Sequence, residues 1–137
     1  MAFRIRQPVR HPDVDRAGIV YFPRFYDFFH RCLEDFFAQE AGIAYWDLAD
    51  QLGVAFPAVH QSTDFERPLQ HGDVVTVELE TERVGEKSVT LRYRIYRPDA
   101  KEPAATSRIV LACIQVPGWK PIDLPEQIRA AFAKHQI

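Results

Sequence analysis

The segment from Pro23 to Gly42 constrains the chain most. Phe25, Phe28, Phe29, Cys32, Leu33, Phe36 and Phe37 recur there at the i, i+3, i+4, i+7 spacing of one helix face. Arg24, Asp27, Arg31, Glu34, Asp35 and Gln39 fall on the opposite face. Pro23 suits a first helical turn, where its fixed φ and missing N–H do no harm, and Gly42 can take the left-handed conformation that stops a helix. A helix this rich in phenylalanine has to bury that face, so the rest of the chain must supply a surface to cover it.

The start of this helix lacks a cap. The first N–H groups of a helix have no partners within it, and a Ser, Thr, Asp or Asn just upstream usually accepts one of them. Gly18, Ile19, Val20, Tyr21 and Phe22 precede Pro23, and none can do so. Free N–H groups at the end of an apolar approach suit a polar ligand atom, such as a carbonyl oxygen becoming an oxyanion. Water or a distant side chain is the alternative partner.

The remaining segments read as strands and short helices. Phe3, Ile5 and Val9 alternate with Arg4, Arg6 and Arg10 as a first strand with one buried face. Between Gly42 and Gly53 a helix of one or two turns is expected, with Ile43, Trp46 and Leu48 inward. Val54 to Phe65 is β-forming but interrupted by Pro57, and the strand is expected to end near Arg67. Val75, Val77 and Leu79 share one face of the next strand, and Val89, Leu91, Tyr93 and Ile95 share one face of the strand after Gly85. Opposed residues must share a face, so even numbers pair with even. That excludes a two-residue turn and favours a three-residue connection, Gly85 to Lys87, setting Glu80 against Arg92 and Glu78 against Arg94. The run Ile109 to Ile114 is almost unbroken in apolar character and should be covered on both faces, one of them by a second copy of the chain. Pro117, Pro121 and Pro125 delimit a loop and a C-terminal helix with Ile128, Ala131 and Phe132 inward. The order is that of an α+β layer, an antiparallel sheet of about five strands packed on one long helix.

At 137 residues the chain is expected to be one domain, 1–137. A hydrophobic content of 47% beside 26% charged residues is that of a soluble globular protein, and a net charge of -2 argues against nucleic acid or an anionic membrane as partner. The N-terminus alternates polar and apolar residues instead of forming a signal core, so a cytoplasmic location is expected. Cys32 and Cys113 lie in apolar, periodic segments and read as buried free thiols.

The run DVDRAGIVYFPRFYDFF, followed some forty residues later by DFERPLQHGDVV, resembles the hot-dog-fold acyl-CoA thioesterases of the 4-hydroxybenzoyl-CoA thioesterase type. The resemblance covers nearly the whole chain. It implies a hot-dog fold, with copies paired as a dimer or a dimer of dimers, and an acyl-CoA as substrate with no separate cofactor. It further implies that Asp15 is the catalytic carboxylate and that backbone N–H groups of Tyr21 and Phe22 polarise the thioester carbonyl. Substrate contacts fall on Gly18, Phe25, His30 and Trp46; where relatives carry an acidic residue, this chain has His30. Nucleotide contacts fall on Arg83, Lys87 and Ser88, while the adjoining basic positions of the family are Gly85 and Glu86 here.

These residue types suit the chemistry, because a thioester carbonyl needs a nucleophile or base on one side and fixed donors for its oxyanion on the other. The plain alternative for Asp15 is a turn residue bonding nearby backbone. Asp13 reads as structural. His11, Asp13 and Asp15 at alternate positions would diverge if extended, so no metal is expected. The expected activity is hydrolysis of an acyl-CoA, with an aromatic or compact acyl group preferred. The alternative is a non-catalytic acyl-CoA or acyl-carrier binding module. A hot-dog dehydratase would need a His with an Asp or Glu in a different motif, which the chain lacks.

Overall fold

The computed structural model describes residues 1–137. Five strands form one antiparallel sheet: β1 (Phe3–Pro8), β3 (Ala58–Phe65), β4 (Val74–Val84), β5 (Ser88–Tyr96) and β6 (Ala105–Ala112), in the order β1-β4-β5-β6-β3. A two-stranded ribbon pairs β2 (Val54–Ala55) with β7 (Ile114–Gln115). The long helix α1 (Arg24–Phe36) continues into a π turn over Phe37–Ala41, and Gly42 ends it with φ of 72°. Two shorter helices follow, α2 (Leu48–Leu52), entered through a 3-10 turn at Tyr45–Asp47, and α3 (Glu126–Lys134).

The periodic residues pack as their spacing requires. Phe25, Phe28, Phe29, Cys32, Leu33, Phe36 and Phe37 are all buried, against Val75, Val77, Leu79, Leu91, Tyr93 and Ile95 from β4 and β5. Phe36 stacks on Phe132 of α3 at 5.0 Å and meets Phe3 edge-on at 5.4 Å, so one ring ties helix, first strand and last helix together. Phe37 packs on Phe56 and Phe132. The aromatic cluster thereby reaches from both chain ends to the short helix region.

The hairpin register follows the charge pattern: Glu80 opposes Arg92 and Glu78 opposes Arg94, with Gly85 to Lys87 as the connection. Two details differ from the sequence expectation. The register shifts between Thr81 and Arg83, so Arg83 pairs with Thr90 and Val84 with Val89. A bulge of this kind adds twist and leaves no mark in an alternating sequence. The ion pairs are also shared differently: Arg92 binds Glu80 at 2.9 Å and Arg94 reaches the same carboxylate diagonally at 3.9 Å, while Glu78 is taken by Arg4, opposite it on β1, at 2.5 Å and by the Tyr96 hydroxyl at 3.1 Å.

Past Leu79, the last partner of β1, the C-terminal tail takes over the edge of β4. Thr81 N–H donates to the His135 carbonyl and Ile137 N–H to the Thr81 carbonyl. His135 is buried, and its ring nitrogens meet the Met1 carbonyl and the Glu40 carboxylate.

Strand β3 ends at Phe65, two residues short of Arg67, and forms the outer edge of the sheet. The apolar run Ile109 to Ile114, which runs from β6 into β7, is only half covered within one chain: Leu111 and Cys113 are buried, while Ile109, Val110, Ala112 and Ile114 are half-buried.

Because Phe36 is fully withdrawn from water, Phe36→Ala should cost about 3–5 kcal/mol, read from the denaturation midpoint. Both thiols are free. Burial first, and then Asp123, pushes Cys113 up to about 11, and burial pushes Cys32 higher still. Roughly one Cys113 in a thousand is then thiolate at pH 8, so neither cysteine should react with a thiol reagent until denaturant is added.

Candidate active site

Asp15 sits in a tight turn between two short extended segments. Val14 bridges Val20, Asp15 N–H donates to the Ile19 carbonyl at 2.9 Å, and Gly18 N–H donates back to the Asp15 carbonyl at 3.0 Å. The turn requires φ of 81° at Gly18, a conformation that a residue with a Cβ resists. Asp15 Oδ1 accepts the Ala17 N–H at 2.8 Å, which is the turn role expected of an Asp in this position, and Oδ2 is uncommitted on an exposed residue. Asp13 behaves differently. It is buried, its Oδ2 accepts the Arg10 N–H at 2.9 Å, and its carbonyl accepts the Tyr21 N–H at 3.1 Å. It holds the two segments together, the structural part its position suggests. His11, Asp13 and Asp15 do not gather into a set of metal donors.

The start of α1 has no side-chain cap. Its first N–H groups are nevertheless engaged by a tight turn: Arg24 donates to Tyr21, Phe25 to Phe22 and Tyr26 to Pro23, at 2.8, 3.2 and 3.2 Å. This corrects the expectation of several free donors, since short i to i−3 bonds can serve where a cap is missing. It also separates the two expected oxyanion residues. Tyr21 N–H is used by Asp13 and Pro23 has none, so the Phe22 N–H is the group left without an acceptor in the chain, on a residue 59% exposed. Phe22 follows Asp15 by seven residues and lies where the positive end of the helix dipole adds to its pull on an oxyanion.

Two cavities follow α1 along its β3 side. One of about 310 Å³ lies at the helix start, walled by Phe22, Phe25, Phe65 and Arg67; the Phe25 and Phe65 rings meet at 5.0 Å. The other, of about 390 Å³, lies further along, walled by Tyr26, His30, Tyr45, Phe56, Tyr93 and Leu111. Between them runs a polar ladder, with the Tyr26 hydroxyl at 2.9 Å from Gln61 Oε1 and 2.8 Å from Thr63 Oγ1, and Thr63 Oγ1 at 2.7 Å from Ser107 Oγ. His30 packs edge-on against Tyr45 at 4.9 Å, with Nε2 at 3.8 Å from Glu34. Burial raises the Tyr45 phenol, with Glu34 adding to it, and burial raises Tyr93 further, so both remain neutral hydroxyls.

A family profile described as the thioesterase-like superfamily matches residues 9–132. The chain belongs to that superfamily. A 1,4-dihydroxy-2-naphthoyl-CoA hydrolase of Nostoc punctiforme is 30% identical over 128 residues, covering 93% of this chain and 84% of the relative. The crystal structure of a 1,4-dihydroxy-2-naphthoyl-CoA thioesterase from Synechocystis superposes with a TM-score of 0.88 at 26% identity, over 97% of this chain and 96% of the other. The dynemicin thioesterase shares the fold with a TM-score of 0.89 at 24% identity, over 100% and 99% of the two chains. The fold is therefore the hot-dog fold, and the chain is a thioester hydrolase.

Within this thioesterase the remaining expected positions divide. Phe25 lines the first cavity and His30 the second, while Gly18 serves the turn. Trp46, expected inward, is 89% exposed and lines neither cavity. The segment enters α2 through a 3-10 turn whose period of three places Tyr45 and Leu48 on one face and turns Trp46 outward. The sequence does not single out the wall residues Tyr26, Tyr45, Gln61 and Phe65; for Gln61 and Phe65 the odd-numbered alternation through Thr63 is a signal.

The expected nucleotide residues lie apart from Asp15. Gly18 and Ile19 are bonded to His71 and Gln70, just before β4 begins, whereas Arg83, Lys87 and Ser88 lie at its far end. Eleven residues of strand separate them, roughly 30 Å or more. Lys87 also binds Asp123 at 2.7 Å, which raises the lysine and lowers the aspartate.

No atom lies within 4 Å of a Cβ built at Gly18, so Gly18→Ala should cost about 1 kcal/mol through backbone strain alone, measured by denaturant titration.

Proposed function

We propose that the chain hydrolyses an aromatic acyl-CoA of the 1,4-dihydroxy-2-naphthoyl class, with Asp15 as the essential carboxylate and the Phe22 N–H as oxyanion donor. The observation that carries this reading is two uncommitted groups on the one loop that leads into α1, Asp15 Oδ2 in its turn and the Phe22 N–H at the helix start, with Phe22 walling an apolar cavity. The thioester carbonyl lies at the helix start with its oxygen toward the Phe22 N–H, and the acyl group runs along the β3 side of α1. A bicyclic hydroxylated acyl group suits that wall, which offers aromatic faces together with the polar atoms of Tyr26, His30 and Tyr45. The same chemistry is named for the relatives in Nostoc punctiforme and Synechocystis.

The carboxylate can serve by either of two routes. Asp15 attacks the carbonyl carbon, the C–S bond breaks to release CoA thiolate, and water then cleaves the acyl anhydride. Alternatively Asp15 takes a proton from a water, and that water attacks. Thiolate leaves readily, so neither route needs a strong general acid. In a single turnover in heavy-oxygen water, label in Asp15 marks the anhydride route with water attacking the Asp15 carbonyl, which the general-base route never labels.

The chain acts in this reading as one domain and as a pair. Strand β3 is an unpaired edge, and Val59, Phe65 and Phe22 are 62%, 44% and 59% exposed along it and beside it. Pairing two copies through β3 covers this apolar margin and the half-buried face of β6. Sedimentation of the intact chain tests that part.

The decisive assay is release of CoA thiol from 1,4-dihydroxy-2-naphthoyl-, benzoyl- and short-chain acyl-CoA. The naphthoyl ester should be turned over fastest, and Asp15→Asn should lower kcat about a hundredfold or more while the melting temperature holds. Binding of acyl-CoA without turnover of any ester would instead make the chain a binding module.

A further inference from the structure

The flank of α1 that faces β1 is polar, with Arg24 and Arg31 set beside Gln7 and Asp13. Arg31 lies nine residues past Phe22, roughly 13 Å along the helix, and its guanidinium is turned to Gln7 and Asp13. We propose that Arg31 is a positioning residue for the hydrolysis, acting through Asp13 to aim the Phe22 N–H, an assignment that rests on the thioesterase reading above.

Asp13 is the intermediary. Its side chain is only 6% exposed, and its Oδ2 accepts the Arg10 N–H at 2.9 Å. Oδ1 has no hydrogen bond, and the cation that faces it is Arg31, with Nη2 at 3.9 Å. Arg24, on the same flank, is taken by Asp27 at 2.9 Å. The Arg31 guanidinium is held in turn from two sides. Nη1 donates to Gln7 Oε1 at 3.3 Å, and the group lies over the Phe28 ring, 5.1 Å from its centre. Gln7 is itself tied to α1, because its amide donates to the Phe28 carbonyl at 3.2 Å. Helix and first strand together thus fix the charge opposite Asp13.

A buried carboxylate with one hydrogen bond needs that charge. Without it, staying out of water costs more than the single bond returns, and the side chain turns outward. The short turn His11–Asp13 is closed by this carboxylate on the Arg10 N–H, so the turn loosens with it. The Asp13 carbonyl accepts the Tyr21 N–H at 3.1 Å, and the Tyr21 carbonyl accepts the Arg24 N–H at 2.8 Å. Tyr21 is therefore gripped at both ends. The peptide from Tyr21 to Phe22 is planar and trans, so a carbonyl turned onto Arg24 aims the Phe22 N–H the opposite way. If Asp13 loosens, that plane keeps only its bond to Arg24, and the one free oxyanion donor swings with it. A donor fixed in advance stabilises the developing charge more than one that must first reorient.

The test compares the intact wild type with Arg31→Met, which keeps the cover over Phe28, and Arg31→Lys, which keeps the charge. Amide hydrogen exchange followed by NMR reads the free protein. The Tyr21 amide should exchange about tenfold faster in Arg31→Met, while the amides of β4 and β5 keep their protection, and Arg31→Lys should bring Tyr21 back to within about threefold of the wild type. Thiol release from the acyl-CoA panel reads the reaction. For Arg31→Met, kcat should fall about tenfold with KM within about twofold, and Arg31→Lys should recover most of the loss. Unchanged Tyr21 exchange in Arg31→Met overturns the assignment, as does an unchanged kcat or a lysine variant as slow as the methionine one. Lost protection in β4 and β5 also overturns it, since Arg31 would then serve the fold as a whole. If the wild type hydrolyses no ester while Tyr21 exchange still answers to the charge at Arg31, the hydrolase reading fails and the coupling of Arg31 to the Tyr21 peptide stands.

Discussion

The phenylalanine face of α1 must leave water, and most of the structure is arranged to let it. Burying one such side chain is worth roughly 1.5–3 kcal/mol, and the helix with its π turn buries Phe25, Phe28, Phe29, Phe36 and Phe37 together. That face sets the rotation of the helix about its own axis. With the rotation fixed, Arg24 and Arg31 turn toward β1, while Tyr26 and His30 turn toward β3. The two chemically opposite flanks of the helix are therefore consequences of one packing requirement. The start of the helix inherits its place in the same way, because Phe25 and Phe28 can be buried only if Pro23 begins the turn beside the Asp15 loop.

Elements defined by strong periodicity were legible in the sequence. The helix from Pro23 to Ala41, the inward faces of β4, β5 and α3, the two buried thiols and the Glu80 with Arg92 register all follow from alternation or from a 3.6 period. What was not legible depends on events without a period. The bulge between Thr81 and Arg83 occurs where β1 ends and the C-terminal tail replaces it, a tertiary circumstance that local sequence does not record. Trp46 was misplaced because three residues of 3-10 geometry shift the face by enough to exchange it for Tyr45. Tyr45 walls the second cavity, so that cavity is less legible in the sequence than the Asp15 loop.

The loop proposed to hold the reacting groups is legible for a different reason. Asp15, Gly18 and Phe22 lie within eight residues of one another, and local turn chemistry decides their arrangement. Even there the sequence overstated the donors. Missing a cap does not by itself free an N–H, since the chain closed three of them onto its own carbonyls. The Tyr21 amide was lost to the Asp13 carbonyl, a bond that depends on Asp13 being buried and fixed by Arg10.

A single free N–H changes how the proposed reaction is supported. Two donors share the charge of an oxyanion in many acyl-transfer sites, whereas here one N–H and the aligned dipoles of α1 carry it. Such an arrangement is sensitive to orientation, because no second bond corrects a small rotation of the carbonyl. Rigidity must then come from the loop, and the loop is unusually well tied for its length: Asp13 to Arg10 and Tyr21, Asp15 to Ala17 and Ile19, and Gly18 to His71. In the proposed reaction Asp15 contributes at both levels, since one carboxylate oxygen holds the turn while the other is left free for the thioester. The turn role and the catalytic role are thus not competing accounts of Asp15. The bond from Oδ1 to the Ala17 N–H fixes the carboxylate plane, and that plane determines where Oδ2 can reach.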